Sequence, residues 1–189
     1  MEPVIVGAVA GVMCMNITVS AMKGWEYNKD VEEFRRAIRL IPPHSAVFVS
    51  SADEEDCPAP AVEGRFYTHM ASLVTIDRDS IQPYIFAHRG AELAYYKPEF
   101  KGYFSPIPIS PVDGALAAMM VTNDLTPLAS GGLYRGYYHL RILPFMDKWN
   151  ERFPYVIHLT MGCTGDTPYS RLFHEVARGR SFVIYRTER

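Results

Sequence analysis

Hydrophobic and polar positions divide this chain into one long uncharged run and a succession of short mixed ones. Pro3 to Met22 is twenty residues without a charge, PVIVGAVAGVMCMNITVSAM. After it, Asn28 or Asp30 is placed to cap a helix reaching about Leu40. Val31, Phe34, Ile38 and Ile41 fall on one stripe of that helix, while Glu32, Glu33, Arg35, Arg36 and Arg39 take the wet side. Pro42-Pro43 stops it. AVFVS, residues 46–50, reads as a short buried strand, and residues 51–65 as an acidic, proline-containing loop. Ser72 to Ile76 fits a second strand or the end of a helix beginning near Tyr67, because its periodicity serves both. Residues 97–113, with Pro98, Pro106, Pro108 and Pro111, read as a long exposed loop; GALAAMMVT follows as a short helix or strand.

The last third is the most regular. Phe145, Trp149 and Phe153 lie at i, i+4 and i+8 on one helical face, and YVIHL, residues 155–159, is a strand. The loop MGCTGDT comes next. Pro168 opens a predicted helix to about Arg178, carrying Leu172, Phe173 and Val176 on its apolar side; Gly179 ends it, and SFVIYR, residues 181–186, is the final strand. A helix followed by strand–helix–strand predicts an α/β fold, a small layered sheet with flanking helices. The expected organisation is an apolar helix over 1–24 and a single α/β domain over 25–189.

Twenty helical residues span about 30 Å, the thickness of bilayer hydrocarbon. Val4, Ile5, Val6, Val9, Val12, Ile17 and Val19 together favour insertion by about 2–4 kcal/mol, a sum eroded by Asn16, Thr18, Ser20 and the glycines. Trp25 and Tyr27 follow where an interfacial aromatic belt would lie. Three readings are open: a retained transmembrane helix, a cleaved signal peptide, or a buried helix of the domain. Val19-Ser20-Ala21 has the small residues of a signal cleavage site, but Met1-Glu2 lacks the positive charge of an n-region. Gly7 and Gly11 form a GxxxG pair that would let another helix approach. Lys23, Lys29, Arg35 and Arg36 would by the positive-inside rule favour a cytoplasmic domain.

Composition narrows the class. Hydrophobic residues are 48% and charged ones 21%, values of a domain that buries a core rather than of a disordered chain. A net charge of −2 without a dense basic patch excludes a phosphate-binding nucleic-acid surface, because such binding depends on clustered Lys and Arg. Arg35, Arg36 and Arg39 share their helix with Glu32 and Glu33, and the other basic group is Arg171, Arg178 and Arg180.

Chemistry has few candidates. Cys14, Cys57 and Cys163 form no CxxC pair, and the six histidines (His44, His69, His88, His139, His158 and His174) show no HxH or HExxH spacing, so no metal site and no cofactor is expected. Cys57 and Cys163 can bridge if the domain lies in an oxidising compartment. MGCTGDT lacks the spacing of a P-loop or a dinucleotide motif. Within it, Cys163 is a candidate thiolate nucleophile at a predicted helix N-terminus, with His158 or His174 as base; the alternative is a polar turn using Gly162 and Gly165. Asp77-Arg78-Asp79, near His69 and His88 in sequence, is a candidate acid–base group, or else a turn with internal ion pairs. His158 sits within an apolar strand, the setting of a hydrogen-bonded core histidine.

FRRAIRLIPPHSAVFV, HMASLVTIDRDSIQPYIF, WNERFPYVIHL and SFVIYR, taken in order, resemble the C-terminal region of large bacterial polytopic membrane proteins. Those proteins look like membrane-embedded glycosyltransferases that use lipid-linked sugars. Pro154 and His44 depart from the pattern, standing where an acidic residue and a glycine are usual. The resemblance implies an extracytoplasmic domain behind a membrane helix in a bacterial inner membrane, with the membrane and a sugar or lipid-linked sugar as partners. Such enzymes carry their catalytic carboxylate in early membrane loops, so no catalytic residue transfers to this chain. The expectation is therefore a non-catalytic, membrane-anchored α/β domain, a terminal part or relative of such a transferase, aiding acceptor binding. The alternative is a small soluble or secreted enzyme using His69, Asp77 and Asp79, or Cys163.

Overall fold

VFVSS, YVIHL and FVIYR are the chain's β-rich apolar runs, and they form the middle of a sheet. The computed structural model describes residues 2–52, 69–83, 112–122, 146, 148–160, 163 and 166–187, with side chains from Val12 onward. In chain order these hold α1 (Glu2–Ile38), β1 (Val47–Ser51), α2 (Leu73–Arg78), β2 (Val112–Asp113), α3 (Gly114–Thr122), α4 (Trp149–Arg152), β3 (Tyr155–Leu159), β4 (His174–Arg178) and β5 (Phe182–Arg186). The strands form a five-stranded mixed sheet in the order β2-β1-β3-β5-β4. β1 runs parallel to both β2 and β3, and β5 runs antiparallel to both β3 and β4.

Because side chains alternate across a strand, each central strand divides its apolar residues between two faces. Val47 and Val49, Ile157 and Leu159, and Phe182 and Ile184 point to one face, where Phe34, Ile38 and Ile41 of α1 and the turn beyond it meet Met70, Ala71 and Val74. Phe48, Val156, Val183 and Tyr185 point to the other, under Val112, Ala117, Ala118, Met146, Trp149, Phe153 and Tyr169. The architecture is thus α/β, with cover on both faces of the sheet. Continuous apolar strands are what such double burial requires.

Several expectations hold. The 155–159 strand has its predicted bounds, the 46–50 strand moves by one residue to 47–51, the 181–186 strand begins one residue later, and GALAAMMVT resolves as the helix α3. The ambiguous segment around Ser72 to Ile76 is helical rather than extended, with Val74 buried. Others are corrected. No helix begins at Asn28 or Asp30: α1 is continuous from Glu2 to Ile38 and crosses the expected boundary at residue 24. Asp30 is buried and accepts a 2.9 Å hydrogen bond from Arg180 instead of capping.

The predicted helix from Pro168 to Arg178 is also absent. Residues 168–172 are turns, and His174–Arg178 is the edge strand β4, hairpinned onto β5. The apolar spacing of Leu172, Phe173 and Val176 suits a helix, but β5 has an unpaired edge that only a strand can satisfy. Gly179 sits in that hairpin because a Cβ there would lie 2.3 Å from the Phe182 ring. Val112 and Asp113, read as loop, form the short edge strand β2. The helix before β3 is one turn, with Trp149 and Phe153 buried as expected; Phe145 lies outside the described residues, as does most of the 51–65 and 97–113 loops.

Trp149 anchors the second face. Its ring stacks on Phe48 at 4.3 Å, meets Phe173 and Tyr169 edge-on, and its indole N–H donates to the Ala117 carbonyl at 3.1 Å. Truncating such a residue removes both packing and a satisfied donor. Trp149→Ala is expected to destabilise the fold by about 3–5 kcal/mol, against under about 1 kcal/mol for Asp79→Ala at an exposed turn. Denaturant melts of the two variants check this, and an unshifted midpoint for Trp149→Ala would remove the residue from the core.

Candidate functional site

In a parallel α/β sheet, ligand chemistry gathers at the carboxyl ends of strands where the chain order reverses. Here that place lies between β1 and β3, since β1 has β2 on one side and β3 on the other. The register sets Ser50 of β1 directly beside His158 of β3. Ser50 Oγ and His158 Nδ1 are 3.0 Å apart, one donating to the other according to the imidazole tautomer. Both are buried, and burial lowers the His158 pKa to about 4, so the ring is neutral at pH 7.

The surrounding residues complete a buried polar cluster. Tyr169 packs edge-on to the His158 ring at 5.5 Å and to the Tyr185 ring at 5.8 Å. Thr167 Oγ1 and the Tyr185 hydroxyl share a short hydrogen bond. The buried Tyr169 hydroxyl makes no hydrogen bond at proper geometry, and burial pushes its pKa well up, with Ser50 offsetting part of the effect and Asp113 and Tyr185 adding to it. Gly114, at the start of α3, is packed against the imidazole: a Cβ there would lie 2.6 Å from His158 Cε1. A hydroxyl beside an imidazole is the opening of a nucleophile–base pair. Sealed within the core, this one instead satisfies two polar groups that two apolar strands have buried.

Of the residues nominated from sequence, His158 is this buried ring, and the acidic candidates lie elsewhere. Asp77, on α2, is 3.0 Å from the Arg35 guanidinium of α1. Asp79 and His44 are 3.0 Å apart, both exposed and both at positive φ, as turn residues. His69 is exposed at the start of the helical residues preceding α2. Asp77, Asp79 and His44 lie at the amino end of β1, where His44 N–H donates to the Arg78 carbonyl and Ile81 bridges Ala46. His88 lies outside the described residues.

Cys163 follows β3 and is disulfide-bonded, a state that offers no thiolate; Cys14 is free and exposed, and Cys57 lies outside the described residues. The helix N-terminus that would have activated Cys163 is absent, because turns and β4 follow the loop. Among the described residues no group of three His, Cys, Asp or Glu could hold a metal ion.

A cleft of about 490 Å³ opens between the end of α3 (Ala118, Met119, Thr122) and Asp166, Thr167, Pro168, Ser170, Arg171 and Leu172. Its size suits a small molecule. Among the described residues, none of the catalytic candidates nominated from sequence lines it. His158 is the hydrogen-bonded core histidine that its apolar strand predicted; its partner Ser50 was the feature missed, because only strand register joins positions 50 and 158.

Comparison with protein-family models, with curated proteins and with solved structures finds no match.

Two outcomes test the cluster. Above pH 6.5 the His158 imidazole is neutral in folded and unfolded chains alike, so it adds no pH dependence. Between 6.5 and about 4 the unfolded chain takes up a proton that the folded chain refuses, and stability falls as pH falls. The loss is expected to reach ~3 kcal/mol by the bottom of that window. His158→Gln should flatten the slope, which denaturant melts at pH 7, 5.5 and 4.5 would show. Gly114→Ala is expected to cost about 1–3 kcal/mol through overpacking against the ring, read as a lowered urea midpoint at pH 7.

Proposed function

We propose that this chain is a membrane-anchored, extracytoplasmic α/β domain without catalytic residues of its own. In this reading it is a terminal part or relative of a membrane glycosyltransferase-like protein and aids acceptor binding. The observation that carries the anchoring is the course of α1. From Asp30 onward the helix packs its Phe34 and Ile38 against the sheet, whereas before it Val12, Met13, Met15, Ile17, Val19, Met22 and Trp25 stand 47–67% exposed. An apolar helix that the domain leaves uncovered requires another cover, and the uncharged run beginning at Pro3 has the length of bilayer hydrocarbon. The described half of the run lies off the domain, which goes against a buried helix.

Among the described residues no helix is long and apolar enough to cross a membrane. The disulfide at Cys163 favours an oxidising compartment over the cytoplasmic placement that the basic residues after the run would suggest. The non-catalytic reading is supported by the pairing of Asp77 with Arg35 and Asp79 with His44, and by the oxidised Cys163. A soluble enzyme would need those side chains to share a cleft.

The test is flotation of the full chain with liposomes. The chain is expected to float, and Val12→Asp to abolish most of it, since a central carboxylate costs about 3 kcal/mol against an insertion energy of about 2–4. The variant's thermal unfolding should be unchanged, because Val12 contacts no core cluster. Wild-type chain remaining monodisperse in detergent-free buffer, and failing to float, would sink the reading.

A further inference from the structure

α1 joins the exposed apolar segment to the domain as one helix, so its packing also decides which end of the sheet lies nearest that segment. Near residue 30, α1 is fastened to the β4–β5 turn: Asp30 Oδ2 accepts from the Arg180 guanidinium at 2.9 Å, and Glu33 Oε2 accepts from the Arg180 backbone N–H at 3.2 Å. One turn further on, the Phe34 and Phe182 rings meet edge-to-face at 5.0 Å. Phe182 is in register with Leu159, and Leu159 with Ser51. Thr160 N–H donates to the Ser181 carbonyl at 2.9 Å, which places the hairpin turn beside the end of β3. The other end of α1 leads through His44 to Val47, level with Tyr155 and Arg186. α1 therefore runs antiparallel to β1 and β3, and leaves the domain on the side of their carboxyl ends.

Resting on the membrane reading of α1, we propose that the carboxyl edge of β1 and β3, with the β4–β5 turn beside it, is a membrane-facing surface whose partner is the lipid headgroup layer. Met22 ends the apolar run and Asp30 begins the packed part of the helix, about 12 Å further along. The headgroup layer occupies about 5–8 Å of that interval. Trp25, with Lys29 positioned 4.9 Å over its ring, lies within it, a pairing of aromatic and cation suited to that depth. Arg180, bonded to Asp30, Arg178 at the end of β4, and Lys29 are long basic side chains at the level where the sheet begins. The sheet end where α/β folds take ligands thus faces the bilayer, so a ligand entering between β1 and β3 would come from the membrane plane.

Spin labels on the full chain in liposomes test the orientation. With Cys14→Ala removing the free thiol and Cys163 disulfide-bonded, a single cysteine is added at each site. Two pairs bracket two strands: Arg178→Cys against His174→Cys on β4, and Ala52→Cys beyond the carboxyl end of β1 against Leu40→Cys at the far end of α1. The members of the β4 pair differ by about 10 Å along the strand. Relaxation by a paramagnetic headgroup-chelated metal is expected to be severalfold stronger at Arg178→Cys and Ala52→Cys than at their counterparts. A floating chain with equal or reversed values in both pairs would overturn the orientation and leave the anchor standing. A chain that does not float would overturn the anchor, and the orientation with it. Circular dichroism on each labelled chain establishes folding, and either pair alone suffices if one site disturbs it.

Discussion

The constraint on which the rest depends is that β1, β3 and β5 are buried on both faces. Each alternates its side chains between two apolar layers, so neither face is free to take solvent. That forces two separate covers. One is α1 with the residues around α2, and the other is α3, the Trp149 turn and the Tyr169 segment. Polar residues placed in these strands must find partners inside. Ser50 and His158 do so with each other, at the one register that sets them side by side.

The first cover has a second role. α1 contributes only its last turns to the core, and its attachment is polar as well as apolar: the buried Asp30 and the Glu33 carboxylate hold the Arg180 turn, while Phe34 packs on Phe182. A helix fastened at one end and uncovered along the other transmits the orientation of whatever surrounds its free part to the sheet. This is why the membrane reading and the direction of the sheet's carboxyl edge are linked in the same element.

The chemically suggestive side chains divide by the end of the sheet they occupy. Asp77, Asp79 and His44 gather at the amino end of β1, Asp77 in a half-exposed ion pair with Arg35 that adds little stability, and Asp79 beside His44 at an exposed turn. Ser50 and His158 lie toward the carboxyl ends of β1 and β3, within the core, with Tyr169 packed on the His158 ring. Cys163 follows β3 as half of a disulfide. The acidic and histidine candidates therefore do not meet the cysteine candidate in one site, and the cleft beside α3 stands apart from the residues nominated from sequence.

Much of this was legible in the residues because it is local. Apolar β-rich runs mark β1, β3 and β5, the 31–34–38–41 stripe marks the packed end of α1, and the uncharged run from Pro3 announces an element the domain need not cover. The sequence alone also showed that Trp149 and Phe153 belong to the core. Tertiary structure decided whatever rests on pairing between distant residues. Residues 174–178 carry a spacing compatible with a helix, and became a strand because β5 offered an open edge of backbone donors and acceptors. Asp30 has the chemistry of a helix cap, and became a partner of Arg180 because the helix continues past it into the apolar run. Ser50 and His158 are separated by more than half the chain, and no local pattern states a register between strands. Periodicity records which way a side chain points; what it meets there is set by strand order and helix direction, which only the folded chain determines.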